Sequence, residues 1–86
     1  MEKEKAIEQL DSILVDDNLY KMLSDDGMRM HNAWRVAYAA KSLGMKTMGD
    51  LYRLGFSEFM KAKNISIGSI TSLQHYFETQ FNLDWI

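Results

Sequence analysis

Apolar residues recur every three or four positions over most of the chain, which is the spacing of one buried face on an α-helix. No stretch alternates cleanly between apolar and polar residues, as a half-buried strand would. The pattern predicts helices over residues 3–15 and 28–43, a short helix between them, two further short helices, and a last helix over 69–80. We therefore predict an all-α fold, a compact bundle of five to six short helices.

Two of these helices carry apolar stripes that we expect to pack in the core. In the third helix the stripe consists of Met30, Trp34, Ala37 and Ala40 or Lys41. In the last helix it consists of Ile70, Leu73 and Phe77, and Phe81 continues it. Leu83, Trp85 and Ile86 then form an apolar tail that we expect to fold back onto the core.

Glycine and small polar residues mark the ends of the helices, since the chain has no proline. Gly44 stands where a left-handed C-terminal cap is expected. Thr47, with Asp50 three residues later, predicts a capping box at the start of the fourth helix. We expect Ser57 to cap the fifth helix, and Asp16-Asp17-Asn18 to end the first helix and cap the second. Asn64 to Gly68 is expected to form a tight connection.

The composition describes one globular domain, and the charge is unevenly spread. Apolar residues make up 47% of the 86 residues and charged residues 26%, with a net charge of −2. Residues 1–27 are strongly acidic and residues 28–63 strongly basic. Such asymmetry indicates either a face for a polyanion or an acidic partner, or two solvated faces that attract each other within the fold. We divide the single domain, 1–86, into an acidic N-terminal helical extension, 1–30, and a helical core, 31–86.

Little in the sequence points to catalysis. His31 and His75 are the only histidines, there is no cysteine, and no nucleophile elbow or phosphate-binding loop occurs. The acidic pairs Asp16-Asp17 and Asp25-Asp26 have a metal-binding alternative, but helix capping is the favoured interpretation. We predict a non-enzymatic protein without cofactor, metal or small-molecule substrate. The absence of a secretory signal, of cysteine and of a membrane-length apolar run predicts a cytoplasmic protein with no membrane partner.

Two motifs in the second half of the chain resemble a known family. Residues 34–51 read WRVAYAAKSLGMKTMGDL, and residues 63–70 read KNISIGSI. Together they resemble the C-terminal domain of the bacterial RNA polymerase alpha subunit, over about half of the chain and without a gap in register. A weaker resemblance, carried by Leu51 to Gly55 and the closing Asp84-Trp85, is to the C-terminal domain of TfoX/Sxy-type competence regulators.

The polymerase resemblance implies a helix–hairpin–helix element that grips the DNA minor groove and also contacts transcription factors. It assigns the principal minor-groove arginine to Arg35 and the hairpin serine to Ser69. The sequence departs from the family at Tyr38, where the family has Asn, at Ser66, where it has Gly, and at Gly68, where it has Lys. The candidate DNA-binding residues are Arg35, Lys41, Lys63, Asn64, Ser66, Gly68 and Ser69.

Two functions are consistent with the sequence. The first is a small transcription-associated protein that binds A·T-rich DNA weakly through the helix–hairpin–helix, with Ser66 and Gly68 supplying backbone N–H groups. The alternative is a protein–protein interaction module that has lost the DNA site. Its expected partner is RNA polymerase or another transcription protein. In that case the protein would be, for example, a phage or mobile-element modulator that binds a host protein.

Overall fold

The computed structural model describes residues 2–62 and 65–86 and contains six α-helices over them. These are α1 (Glu2–Asp11), α2 (Leu19–Asp25), α3 (Met30–Ser42), α4 (Met48–Leu54), α5 (Phe56–Met60) and α6 (Ile67–Phe81). The all-α prediction is confirmed. Within the described residues, no helix is long and apolar enough to cross a lipid bilayer.

The helices pack pairwise around one core. Helix α1 lies on α4, α2 on α3, and α6 contacts both α3 and α5. Fully buried side chains come from all six helices, so each helix contributes to the same interior. The largest of them are Leu10, Leu19, Leu23, Met48, Leu51, Phe59, Ile70, Leu73 and Phe77.

Several predicted helix ends are confirmed because local chemistry determines them. Thr47 Oγ1 accepts a hydrogen bond from the Asp50 amide at 3.1 Å, and the Asp50 carboxylate accepts one from the Thr47 amide at 3.2 Å. Gly44 has a φ of 78°, the left-handed conformation expected of a C-terminal cap. Asn18 is the N-cap of α2, although its side chain makes no capping hydrogen bond.

Two predicted starts were wrong by a few residues. Helix α5 begins at Phe56, before Ser57, because Gly55 turns the chain at a φ of 94° and serves as the N-cap. Helix α6 begins at Ile67, not Ser69, because the Ser66 hydroxyl accepts from the Ser69 amide at 3.2 Å and caps the helix. The predicted Asn64–Gly68 connection is correspondingly shorter, and its Asn64 lies outside the described residues.

The first helix also ends earlier than predicted, at Asp11 and not at Val15. The residues after it extend and form an isolated antiparallel bridge between Leu14 and Thr47. The Val15 amide donates to the Lys46 carbonyl and the Met48 amide donates to the Ile13 carbonyl, both at 2.9 Å. β-branched residues favour this extended backbone over a helix, and the pairing ties the start of the chain to the entrance of α4.

A bidentate ion pair joins α1 to α4. Arg53 donates to the two carboxylate oxygens of Asp11 at 2.8 Å each, and these hydrogen bonds lower the pKa of Asp11 below its usual value. A side chain at Gly49 would collide with that carboxylate. Gly49 therefore leaves the space that lets the acidic α1 lie directly on α4.

The buried side of α3 matches the predicted stripe only in part. Ala40 is fully buried as predicted, together with Ala33 and Val36, whereas Met30 and Trp34 are more than half exposed. Both sets of residues have helical spacing, so periodicity alone does not separate them. The small side chains face inward, where α2 and α6 press against α3.

A polar seam between α3 and α6 fixes this rotation. The Asn32 amide nitrogen donates to Ser72 Oγ at 3.0 Å, and the hydroxyl of the fully buried Ser69 donates to the Asn32 side-chain oxygen at 3.2 Å. Ser66 Oγ lies 3.0 Å from Ser69 Oγ and extends the network to the start of α6. Buried polar groups are stabilised by hydrogen bonds, so these contacts favour the rotation of α3 that points Asn32 at α6.

The C-terminal tail folds back as predicted for Leu83 and Trp85, which are both 2% exposed. Trp85 packs on the rings of Phe56, Phe59 and Phe77, and its indole N–H donates to the Tyr52 carbonyl at 3.2 Å. The prediction was wrong for Ile86, which is exposed. The apolar contact of the tail with the core ends at the Trp85 indole, and the last residue lies outside it.

The seam can be tested by replacing Asn32 with Ala. The change removes both hydrogen bonds of its side chain and leaves the buried Ser69 hydroxyl with one partner fewer. We expect urea denaturation to show a loss of about 1–3 kcal/mol in the free energy of unfolding. The control is Ser42→Ala on the exposed end of α3, expected to stay within about 0.5 kcal/mol of the wild type. Equal stabilities of the two variants would contradict the role given to the seam.

Candidate interaction surface on helix α3

An aromatic face stands out on the solvent side of α3. Met30, Trp34 and Tyr38 are spaced four residues apart and are 54%, 55% and 52% exposed. The rings of Trp34 and Tyr38 stack with centroids 5.4 Å apart and planes only 8° from parallel. Residues four apart are neighbours on a helix surface, so the three side chains form one continuous apolar strip, which we call the α3 face.

A small groove runs beside the α3 face, between α3 and the segment that leads into α2. Its volume is about 160 Å³, and its lining comprises Asp16, Asp17, Tyr20, Trp34, Ala37, Tyr38 and Lys41. Aromatic rings therefore form one part of the wall and carboxylates another.

One ion pair lies at the edge of this groove. The Lys41 ammonium donates to an Asp17 carboxylate oxygen at 2.6 Å. This hydrogen bond lowers the pKa of Asp17 and raises the pKa of Lys41. Both side chains are largely exposed, 62% for Lys41 and 87% for Asp17. An exposed pair of this kind contributes little to stability, so it is easily exchanged for another partner.

Arg35 lies on the other flank of the α3 face. Its Nε donates to His31 Nε2 at 3.0 Å, one helical turn earlier. Arg35 therefore adds a positive charge to this flank of the α3 face.

The structure brings only some of the predicted DNA-binding residues to one side. Helical residues advance by about 100° each, which puts Arg35 about 60° from Asn32 and close to the α6 side of α3. Lys41 is about 180° from Asn32 and pairs with Asp17 on the α2 side. Lys41 and the start of α6 therefore lie on opposite sides of α3.

At the start of α6, the predicted residues differ in accessibility. Ser66 and Gly68 are exposed, and a Cβ added to Gly68 would meet nothing closer than Ser66 Oγ at 3.9 Å. Ser69 is fully buried and its hydroxyl is used by Asn32, so the side chain cannot contact a phosphate in this conformation. Lys63 and Asn64 lie outside the described residues.

A further groove lies between the α2–α3 turn and α6, with a volume of about 460 Å³. Two hydrogen bonds join its two sides. Tyr76 Oη donates to Asp26 at 3.4 Å, and the Gln80 amide donates to the Asp26 carbonyl at 3.3 Å. Burial, aided by the Asp26 carboxylate, raises the pKa of the Tyr76 phenol above its ordinary value. Asp26 thus joins the α2–α3 turn to α6 along this groove.

The acidic pairs do not gather into a metal centre. No cluster of three or more potential metal ligands occurs in the part of the chain that the structure describes. Asp16 accepts from the Asn18 amide at 3.0 Å, a local turn contact. The Asp16 carboxylate thus lies near the start of α2, as the capping interpretation expects. Its hydrogen bond is to the residue before the helix, however, and not to an amide of the first turn.

Sequence reasoning missed the α3 face because it assigned Trp34 and Met30 to the core. A signal was present, since Ala33, Val36 and Ala40 form a second stripe of the same period. Against protein-family models, curated proteins and solved structures, the chain finds no match. The resemblances to the polymerase alpha and TfoX/Sxy domains stay predictions.

The exposure of Trp34 can be tested by fluorescence, since Trp34 and Trp85 are the only tryptophans. In Trp85→Phe the remaining Trp34 should emit as a solvated indole and be quenched strongly by iodide. In Trp34→Phe the remaining Trp85, which is 2% exposed, should emit at shorter wavelength and be quenched several-fold less. Similar quenching in the two variants would contradict the orientation of α3.

Proposed function

We propose that this protein is a small non-enzymatic binding module that holds another protein on the α3 face. The observation that carries the proposal is the exposed Trp34–Tyr38 stack with Met30 beside it. Tryptophan, tyrosine and methionine are enriched in protein interfaces, and tryptophan and tyrosine dominate their binding energy. A stacked pair has also lost much of its side-chain freedom before a partner arrives, which lowers the entropy cost of binding.

The energy available on the α3 face is sufficient for a specific contact. An aromatic side chain covers about 150–250 Å², and Trp34 and Tyr38 each keep about half of their surface in water. Covering that half of one ring contributes about 2–3 kcal/mol at about 25 cal/mol per Å². Two rings therefore provide the anchor of a small interface, and polar groups around them provide its orientation.

The setting we propose is transcription in the cytoplasm, with RNA polymerase or another transcription protein as the partner. Support for this setting comes from the sequence resemblance of residues 34–51 and 63–70 alone. The α3 face itself includes Trp34 and Tyr38 from the first of these motifs. Tyr38 is also one of the positions at which the sequence departs from the polymerase family, which suits a change of ligand from DNA to protein.

The proposal is tested by affinity capture from a nuclease-treated lysate of the source cell. Wild-type protein should retain a partner that Trp34→Ala loses, because the substitution removes the central ring of the α3 face. The matched control is Met60→Ala, which truncates an exposed apolar residue on α5 and should retain the partner. A partner that survives in Trp34→Ala, or that nuclease removes from the wild type, would contradict the proposal.

DNA binding is the second candidate, supported by the position of Arg35. Asn32, one turn before Arg35, is bonded to Ser69 and Ser72 on α6. The guanidinium thus lies on the side of α3 that faces the first turn of α6, where Ser66 and Gly68 are exposed. An arginine beside helix N–H groups is a suitable pair for backbone phosphates.

An A·T-rich duplex titrated at low salt distinguishes this candidate. If DNA binds here, amide shifts should change around Arg35 and residues 66–68, with affinity falling steeply as salt rises. Arg35→Ala should reduce the slope of log K against log salt by about 1, whereas Lys21→Ala on α2 should leave it unchanged. Unchanged shifts, or equal effects of both substitutions, would exclude DNA binding at this side.

A further inference from the structure

We infer that the groove beside the α3 face receives an arginine side chain from the partner protein. This inference rests on the proposed function and names the chemistry that the partner must present. It concerns the concavity between the segment 16–20 and α3, where aromatic rings and carboxylates line the same space.

The size of the groove fits one side chain. Its volume is about 160 Å³, and its walls are formed by the short segment 16–20 and one side of α3. A helix or a folded loop does not enter such a space, but a single extended side chain does.

The lining favours a planar cation. Asp16 and Asp17 supply negative charge, and the rings of Trp34 and Tyr38 supply π-faces. The two rings stack within 8° of parallel, so each keeps one face free of the other ring, and a guanidinium can stack on such a surface. A carboxylate at the edge of that surface accepts the paired N–H groups of the same guanidinium.

Lys41 shows how a cation uses this groove. Lys41 lines the groove, and its ammonium reaches Asp17 at 2.6 Å. Both members of the pair are exposed, and such pairs contribute little to stability. An arginine that arrives with a partner therefore competes with Lys41 for Asp17 at little cost.

The test is a chemical-shift titration of the full chain with three single-residue probes. N-acetyl-arginine amide should give saturable shifts at the Trp34 indole N–H and the Asp17 amide. N-acetyl-citrulline amide, which has the same shape without the charge, should give none. N-acetyl-trimethyl-lysine amide should bind more weakly than the arginine probe, because the parallel rings do not enclose a quaternary ammonium.

Three variants complete the experiment. Asp17→Asn should abolish saturation with the arginine probe. Lys41→Ala should tighten binding by up to about fivefold, the equivalent of releasing an exposed ion pair. Lys61→Ala, which breaks the exposed Lys61–Glu58 pair on α5, should leave the affinity unchanged.

Opposite results would overturn the inference. The inference fails if the citrulline probe binds as well as the arginine probe, or if the trimethyl-lysine probe binds more tightly. It also fails if Lys41→Ala binds the arginine probe more weakly, or if the protein self-associates through Trp34. The outcome is separable from that of the proposed function. If Asp17→Asn still captures the Trp34-dependent partner, the protein-binding proposal stands and only the arginine assignment fails. If capture does not depend on Trp34, the proposed function itself fails.

Discussion

The arrangement of the surface depends on one polar seam, in which Asn32 on α3 bonds to Ser69 and Ser72 on α6. Ser69 has no exposed surface, and a buried hydroxyl without a partner would destabilise the fold. Asn32 points at α6 and makes two hydrogen bonds there, which favours this rotation of α3 about its own axis. The small residues of α3 turn inward as a result, and Trp34 and Tyr38 turn to solvent.

The same rotation separates the two candidate functions in space. Arg35 lies toward the start of α6, whereas Lys41 lies toward α2 and pairs with Asp17. Because these cations point to different sides of one helix, they do not form a continuous basic strip. The α3 face lies between them, which is why a protein ligand with a mixed polar rim fits this surface better than a polyanion does.

The uneven charge of the chain is partly used inside the fold. Asp11 and Asp17 come from the acidic first segment, and their partners Arg53 and Lys41 come from the basic middle. The sequence left two interpretations of the charge asymmetry open. For these two pairs, the interpretation that holds is attraction between the acidic and basic segments within the fold. The acidic N-terminal segment supplies a helix to the core, with Leu10 fully buried, and also supplies the carboxylates of the groove.

By itself, the sequence determined what depends on neighbours along the chain. It determined the all-α class, the capping box of Thr47 and Asp50 and the left-handed Gly44, since periodicity, caps and glycine conformation are local properties. The burial of Trp85 followed from the apolar character of the tail, but it depends on contacts with distant rings. The sequence did not determine the end of α1 or the buried side of α3. The end of α1 depends on the pairing of residues 13–15 with residues 46–48. Two overlapping stripes of equal period competed on α3, and packing on α2 and α6, including a hydrogen bond to a residue 37 positions away, decided between them. Only the tertiary structure could bring those two residues together, and only then did Trp34 become a surface residue.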